Sequence, residues 1–189
     1  MVQNAIKTWE MELSHKTRIQ DFKAINPENF RFLVNGRKGL SGEETLKLGS
    51  YNALLQSSLP EELQCYKVDK ETFETSHEVF HTAFPRGFAW EVLRAYTRLP
   101  EIVFKFRHWG YMEGPYKGRA PTGEMVEFTG LCVMKVDDSL KAEDVEVYYD
   151  PGQLFGGLLK GPLLPSSATV EEAVAAALSL DACPSFKEK

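Results

Sequence analysis

The sequence predicts an α+β domain, with N-terminal helices packed on one face of a curved antiparallel sheet. Two observations carry this. Apolar residues recur every three to four positions in the first half of the chain, the period of an amphipathic helix, whereas from Phe88 onward they recur every two, the period of a half-buried strand. Helices followed by strands, without βαβ alternation, argue for an antiparallel sheet covered on one face rather than a doubly wound parallel one.

In chain order, Val2, Ile6, Trp9 and Leu13 make one apolar stripe with Lys7, Glu10 and Glu12 outside it, which predicts a helix over Val2 to His15. Asn26-Pro27 disfavours helix, and Phe30 to Val34 reads as a short strand turned by Asn35-Gly36. Ser41-Gly-Glu-Glu44 is a capping box, opening a helix that runs to Ser58 before Pro60. Phe73, His77, Phe80, His81 and Phe84 cluster on one side of a third helix, from Glu71 to Phe84, which Pro85 ends. Four strands follow: Phe88 to Tyr96 and Ile102 to His108 around Leu99-Pro100, then Met125 to Val136 and Val145 to Asp150 around the polar loop from Asp137 to Asp144. The Gly- and Pro-rich stretch after Asp150 leads to an Ala-rich helix from Thr169 to Leu180, whose narrow apolar face needs a partner surface. The expected organisation is one domain over 1–160 and a C-terminal tail with a short helix over 161–189.

The composition bounds the function. With 22 Lys plus Arg against 27 Asp plus Glu, the 189 residues carry a formal charge of −5, which argues against a nucleic-acid binder relying on a basic surface. At 43% hydrophobic and 12% aromatic residues, the chain can bury a core. No apolar stretch approaches the ~18 residues that span a bilayer, and the N-terminus lacks the apolar centre of a signal peptide. A soluble, cytoplasmic protein without nucleic-acid or membrane partners is expected. Cys65, Cys132 and Cys183 form no C-x-x-C pair, so they read as free thiols, with Cys132 a small hydrophobe inside an apolar run.

Few residues stand out as chemistry. His77-Glu-Val-Phe-His81 is literally the H-E-x-x-H string that can present two imidazoles to zinc. With Phe80 between them and no third ligand indicated, the two read first as structural histidines, and no metal is expected. His108 shares a strand face with Ile102, Phe104 and Phe106, so it is either a core histidine satisfied by a partner or a pocket acid/base. Gly110, Gly114 and Gly118 are spaced by four but lack G-K-[ST]; they read as a bend at the rim of the sheet rather than a phosphate loop. Asp150, after Tyr148-Tyr149 and before Pro151-Gly152, reads first as a turn aspartate and second as a carboxylate among aromatics with a raised pKa.

Thr82-Ala-Phe-Pro-Arg-Gly-Phe-Ala-Trp90, the string from Phe104 to Gly118 that contains His108-Trp-Gly110, Pro121-Thr-Gly123 and Lys7-Thr-Trp-Glu-Met11 together resemble the pathogen-related proteins of plants, which have similar proteins in fungi. The resemblance extends from about Val2 to Leu159. More distantly, the order A-F-P, strand, H-x-G, P-T-G, strand and a late Asp is similar to the SnoaL-like branch of the NTF2-like superfamily. That resemblance implies a cone in which a strongly curved sheet and N-terminal helices enclose an apolar pocket. It places the acid/base aspartate of the polyketide cyclases on Asp150 and the histidine of their H-x-G on His108.

The pocket is expected to be lined by Trp90, Phe104, Phe106, His108, Phe128 and Tyr149, and to bind or act on a small, largely apolar or aromatic metabolite without a cofactor. If it is catalytic, as an isomerase, cyclase or lyase, Asp150 moves a proton while His108 hydrogen-bonds the developing oxyanion or acts as the partner acid. The competing reading is a non-catalytic ligand-binding or scaffold protein, in which the outer face of the sheet makes a homodimer.

Overall fold

The amphipathic N-terminus folds as α1 (Val2–His15). Ile6 and Trp9 of its apolar stripe are buried, and the Trp9 ring lies 6.2 Å from that of Phe32. One turn further, Glu12 is buried too, at 3% exposure, although the sequence pattern places it on the polar side. Its carboxylate accepts the backbone N–H of Lys23 at 3.0 Å and of Ala24 at 2.7 Å, and pairs with the Lys16 ammonium. The segment held in this way runs beside the last strand, Asn26 donating its N–H to the Ala142 carbonyl and Ala142 donating to that of Ala24. A single carboxylate thus clamps α1 to the segment that runs beside the start of the last strand.

The computed structural model describes residues 2–16 and 18–165. The helix expected over Thr169 to Leu180, and Cys183, lie outside the described residues.

The strands are β1 (Arg31–Val34), β2 (Leu40–Ser41), β3 (Ala89–Ala95), β4 (Glu101–Tyr111), β5 (Met125–Val136) and β6 (Ala142–Tyr149), in the spatial order β2-β1-β6-β5-β4-β3. Four of the five pairings are antiparallel, and β1 runs parallel to β6. The parallel pairing is possible because the chain returns to β1 only after several helices and strands, a connection long enough to reverse direction. Arg31 and Asp144 form an ion pair of 2.9 Å at one end of it. Strict alternation along β4, β5 and β6 sends Ile102, Phe104 and Phe106, then Val126, Phe128, Cys132 and Met134, then Val145, Val147 and Tyr149 into the core. Register shifts at Val92/Arg94 and Lys135/Val136 interrupt the ladders that join β3 to β4 and β5 to β6.

The helix expected from Ser41 to Ser58 is two helices, α2 (Gly42–Leu48) and α3 (Ser50–Leu55). Gly49 breaks it with φ 91, a left-handed value that glycine adopts without penalty. The capping box is present, with the Glu44 N–H donating to the Ser41 hydroxyl at 3.2 Å and the Ser41 N–H donating to the Glu44 carboxylate at 2.8 Å. α4 (Phe73–Ala83) starts at the Thr72 cap and stops before Pro85. The string after β4 packs against its end, since the N–H groups of Glu113 and Gly114 both donate to the Ala83 carbonyl.

A further helix, α5 (Pro151–Leu158), follows β6 directly. The Gly- and Pro-rich composition conceals it, but Pro151 sits in the first turn, where no N–H is needed, and Asp150 caps the helix. Leu154 and Leu158 bury its apolar side. Beyond it, Ala120 donates its N–H to the Pro162 carbonyl and Leu164 to that of Gly118, so residues 161–164 lie along the loop between β4 and β5. Among the described residues, no helix is long and apolar enough to cross a membrane.

Burial alone raises the pKa of the Glu12 carboxyl, but the hydrogen bonds from Lys16, Ala24 and Lys23 outweigh it and hold the group below the ordinary carboxylate value. A carboxylate depressed in the folded state stabilises the fold above its unfolded pKa and loses that contribution as pH falls through the folded one. Glu12→Gln is therefore expected to cost about 1–3 kcal/mol at pH 7, with the difference from wild type shrinking in acid. Urea unfolding of both proteins at pH 7 and pH 3 reads this directly; an equal gap at the two pH values would show that the charge plays no part in the clamp.

Candidate functional site

The helices do not close onto the sheet everywhere. Between α1, α3, α4 and the inner sheet face lies a cavity of about 590 Å³. Its sheet wall is made by Phe32, Trp90, Phe106, His108, Phe128 and Val147, and Cys132 lies among them. Trp9 closes one side, while Tyr51, His77, Phe80 and Phe84 close the other. The mouth is ringed by His15, Glu78, His81 and Gly87, all exposed. All four histidines of the chain therefore border one cavity.

His108 occupies the most constrained position. The β4 register sets it opposite Trp90 on β3 and Phe128 on β5. Its ring stacks on Phe88, with centroids 4.0 Å apart and planes at 26°, and lies 5.4 Å from Phe128 on the other side. The Ala89 carbonyl accepts an N–H from the ring, and Nδ1 is the nitrogen left without a partner. The proton therefore sits on Nε2, and Nδ1 is an acceptor closed off by the surrounding side chains. The side chain is half-buried by surface area, yet it is surrounded by protein and loses most of its hydration. Desolvation pushes its pKa down to about 3, only partly opposed by the bond to Ala89. A neutral imidazole held in this way offers the cavity no acid at neutral pH.

His77 is fixed in a similar way. Its Nδ1 lies 2.8 Å from the Phe73 carbonyl and must donate to it, while Nε2 is buried without a hydrogen-bond partner. The ring sits between Tyr51 and Phe73, at centroid distances of 5.1 and 4.2 Å. The buried indole nitrogen of Trp9 is an unpaired donor in the same wall. Burial pushes the Cys132 thiol up, so it stays protonated and acts as a small apolar group. Among the described residues, no group of three or more His, Cys, Asp or Glu side chains is placed to hold a metal ion, and the H-E-V-F-H string serves instead as cavity wall and rim.

Of the residues expected at the pocket, Trp90, Phe106, His108 and Phe128 line it. Phe104 lies behind the wall, fully buried and edge-on to Trp90 at 5.9 Å. Tyr149 also lies behind it, 4.7 Å from the Phe128 ring, donating its hydroxyl proton to the Leu54 carbonyl at 3.0 Å. Asp150 is not brought to His108. Its carboxylate is exposed and accepts the Gly152 N–H at 2.8 Å, the work of a helix cap. The turn reading of Asp150 is the one the structure follows, because Pro151 starts a helix whose first free N–H takes the carboxylate away from the interior. Trp9, Tyr51, Phe84, Phe88 and the rim residue Glu78 were not foreseen; the helical spacing of His77, Phe80, His81 and Phe84 marks a common face without indicating that it borders a void.

No family model matches the chain. It is 47% identical over 170 residues to the "Pathogen-related protein" of Hordeum vulgare, covering 89% of this chain and 72% of that one. A solved structure of a provisionally assigned polyketide cyclase from Acidithiobacillus ferrooxidans aligns with a TM-score of 0.50 and 12% identity over 84% of this chain and 94% of its own. A provisionally assigned SnoaL-like polyketide cyclase from a Jannaschia species aligns with a TM-score of 0.44 and 16% identity, over 84% of this chain and 93% of that one. The fold is the SnoaL-like, NTF2-like arrangement of helices over a curved sheet that does not close into a barrel, and at such identities the structural likeness speaks for the fold alone.

The tautomer of His108 is directly measurable. In long-range ¹H–¹⁵N spectra at pH 5, its ring is expected to show the neutral Nε2–H form, while an ordinary histidine of pKa near 6.5 is mostly protonated at that pH. A protonated His108 ring at pH 5, or a proton on Nδ1, would remove the acceptor assignment.

Proposed function

The chain belongs to the pathogen-related protein family, and from the cavity enclosed by its fold we propose that it binds a small, largely apolar, aromatic molecule. The observation that carries this reading is the cavity itself: about 590 Å³, within the ~300–1,000 Å³ of small-molecule sites, with aromatic walls on both the helix and the sheet side. A flat ring entering it replaces water with offset-stacked and edge contacts, worth about 0.5–1.5 kcal/mol per aromatic pair beyond the area buried. Ser50 and the rim side chains of His15, Glu78 and His81 supply the few polar positions that orient a ligand in an apolar site.

The same features favour binding over proton transfer. General acid/base catalysis needs a group that titrates near working pH within reach of the substrate. Inside this cavity His108 is neutral, Cys132 is protonated and, among the described residues, no carboxylate lines the inner wall, while Asp150 stands outside as a helix cap. The reading is therefore a binding protein that retains the scaffold on which enzymes are also built.

The test is titration with N-phenyl-1-naphthylamine, an uncharged probe whose emission rises in apolar surroundings. Saturable one-to-one binding is expected, and Leu54→Trp, which fills the cavity from its half-buried edge, should weaken it by about tenfold or more with unchanged circular dichroism. Absence of saturable binding, or equal affinity in the filled variant, would overturn the proposal.

A further inference from the structure

The charges around the cavity are lopsided. Among the described residues no lysine or arginine lines it, and the one carboxylate at its border is that of Glu78. Glu78 is exposed on α4, between His77 and the wall residue Phe80, and enters no ion pair among the described residues. The inner wall is mostly ring carbon, whose faces carry negative quadrupole potential. The Glu78 carboxylate repels an anion, and both it and the ring faces attract a cation.

We infer that the ligand class is an aryl-alkyl amine, bound as its ammonium form, with the aromatic body inside the cavity and the ammonium at the mouth beside Glu78. This rests on the reading of the cavity as an aromatic binding site and adds the charge of what it selects. The orientation follows from solvation. An ammonium placed deep in an apolar cavity loses its hydration without a counter-ion, whereas at the mouth it keeps water, meets the Glu78 carboxylate and remains within reach of the ring faces. The net charge of −5 on the whole chain adds a long-range bias of the same sign.

Three probes of nearly the same shape separate charge from size: 2-(1-naphthyl)ethylamine, 1-naphthaleneacetamide and 1-naphthaleneacetate, titrated calorimetrically at pH 8, where ordinary imidazoles are neutral. The amine should bind about tenfold or more tighter than the acetate, with the amide between them. Glu78→Gln should narrow the ratio of amine to acetate by about threefold, and added salt should weaken the amine relative to the amide. An acetate that binds as tightly as the amine, or a ratio untouched by Glu78→Gln, overturns the inference while amide binding leaves the aromatic site standing. If none of the three binds, the binding-site reading itself fails, and this inference falls with it.

Discussion

A column of rings ties the helices to the sheet. Tyr51 of α3 stacks on Phe80 of α4 at 4.4 Å, Phe84 at the end of α4 stacks on Phe88 at 4.3 Å, Phe88 on His108 of β4 at 4.0 Å, and Phe128 of β5 leans on Tyr149 of β6 at 4.7 Å. Rings are stiff and large, so a chain of them fixes both the position of α4 and its distance from the sheet. A core of aliphatic side chains could collapse further. Here the helices stand off by the width of the rings, and the space beside the column is the cavity.

Keeping that space requires the surrounding packing to be tight where it is not aromatic. Phe106 lies directly across from Gly130 on β5, and a Cβ at position 130 would stand 2.6 Å from the Phe106 ring and 2.5 Å from the Tyr148 carbonyl. The missing side chain lets the Phe106 ring lie across the neighbouring strand as part of the wall. The Tyr149 hydroxyl, bonded to the Leu54 carbonyl, holds the end of α3 against β6. On the opposite side the Glu12 carboxylate fixes α1, and with it Trp9, to the segment before β1. These polar clamps sit behind or beside the wall, so the interior stays apolar while its boundaries are held by directed bonds.

Most of the architecture is legible in the sequence because it depends on local periodicity. α1, α4 and strands β3 to β6 follow the 3.6- and two-residue patterns closely, and the capping box at Ser41 marks α2. The break at Gly49 was not legible, since a glycine inside a helical pattern signals a stop only when the chain must turn there. The parallel pairing of β1 with β6 joins residues more than a hundred positions apart, beyond the reach of any local pattern. α5 was hidden by its glycines. At the site, alternation correctly put Trp90, Phe106, His108 and Phe128 on the inner face, but it cannot distinguish a side chain at the wall from one behind it, as with Phe104 and Tyr149. Asp150 shows the limit of motif transfer: its position in sequence suits an acid/base, yet the cap required by Pro151 turns it toward solvent.

The chemistry of the cavity follows from the same burial that creates it. A proton-transfer centre needs an ionisable group whose charged form is tolerated, which means a counter-charge, water or several hydrogen bonds at hand. The buried carboxylate of this fold, Glu12, has those partners, and they hold it below the ordinary carboxylate range as a structural anion outside the cavity wall. His108 has rings on both faces and one backbone carbonyl, so only its neutral form is stable there. Placing an ionised partner beside it would require solvent or cations in the aromatic column that spaces the helices from the sheet. The rings that space the helices from the sheet are thus the same rings that hold His108 in its neutral form.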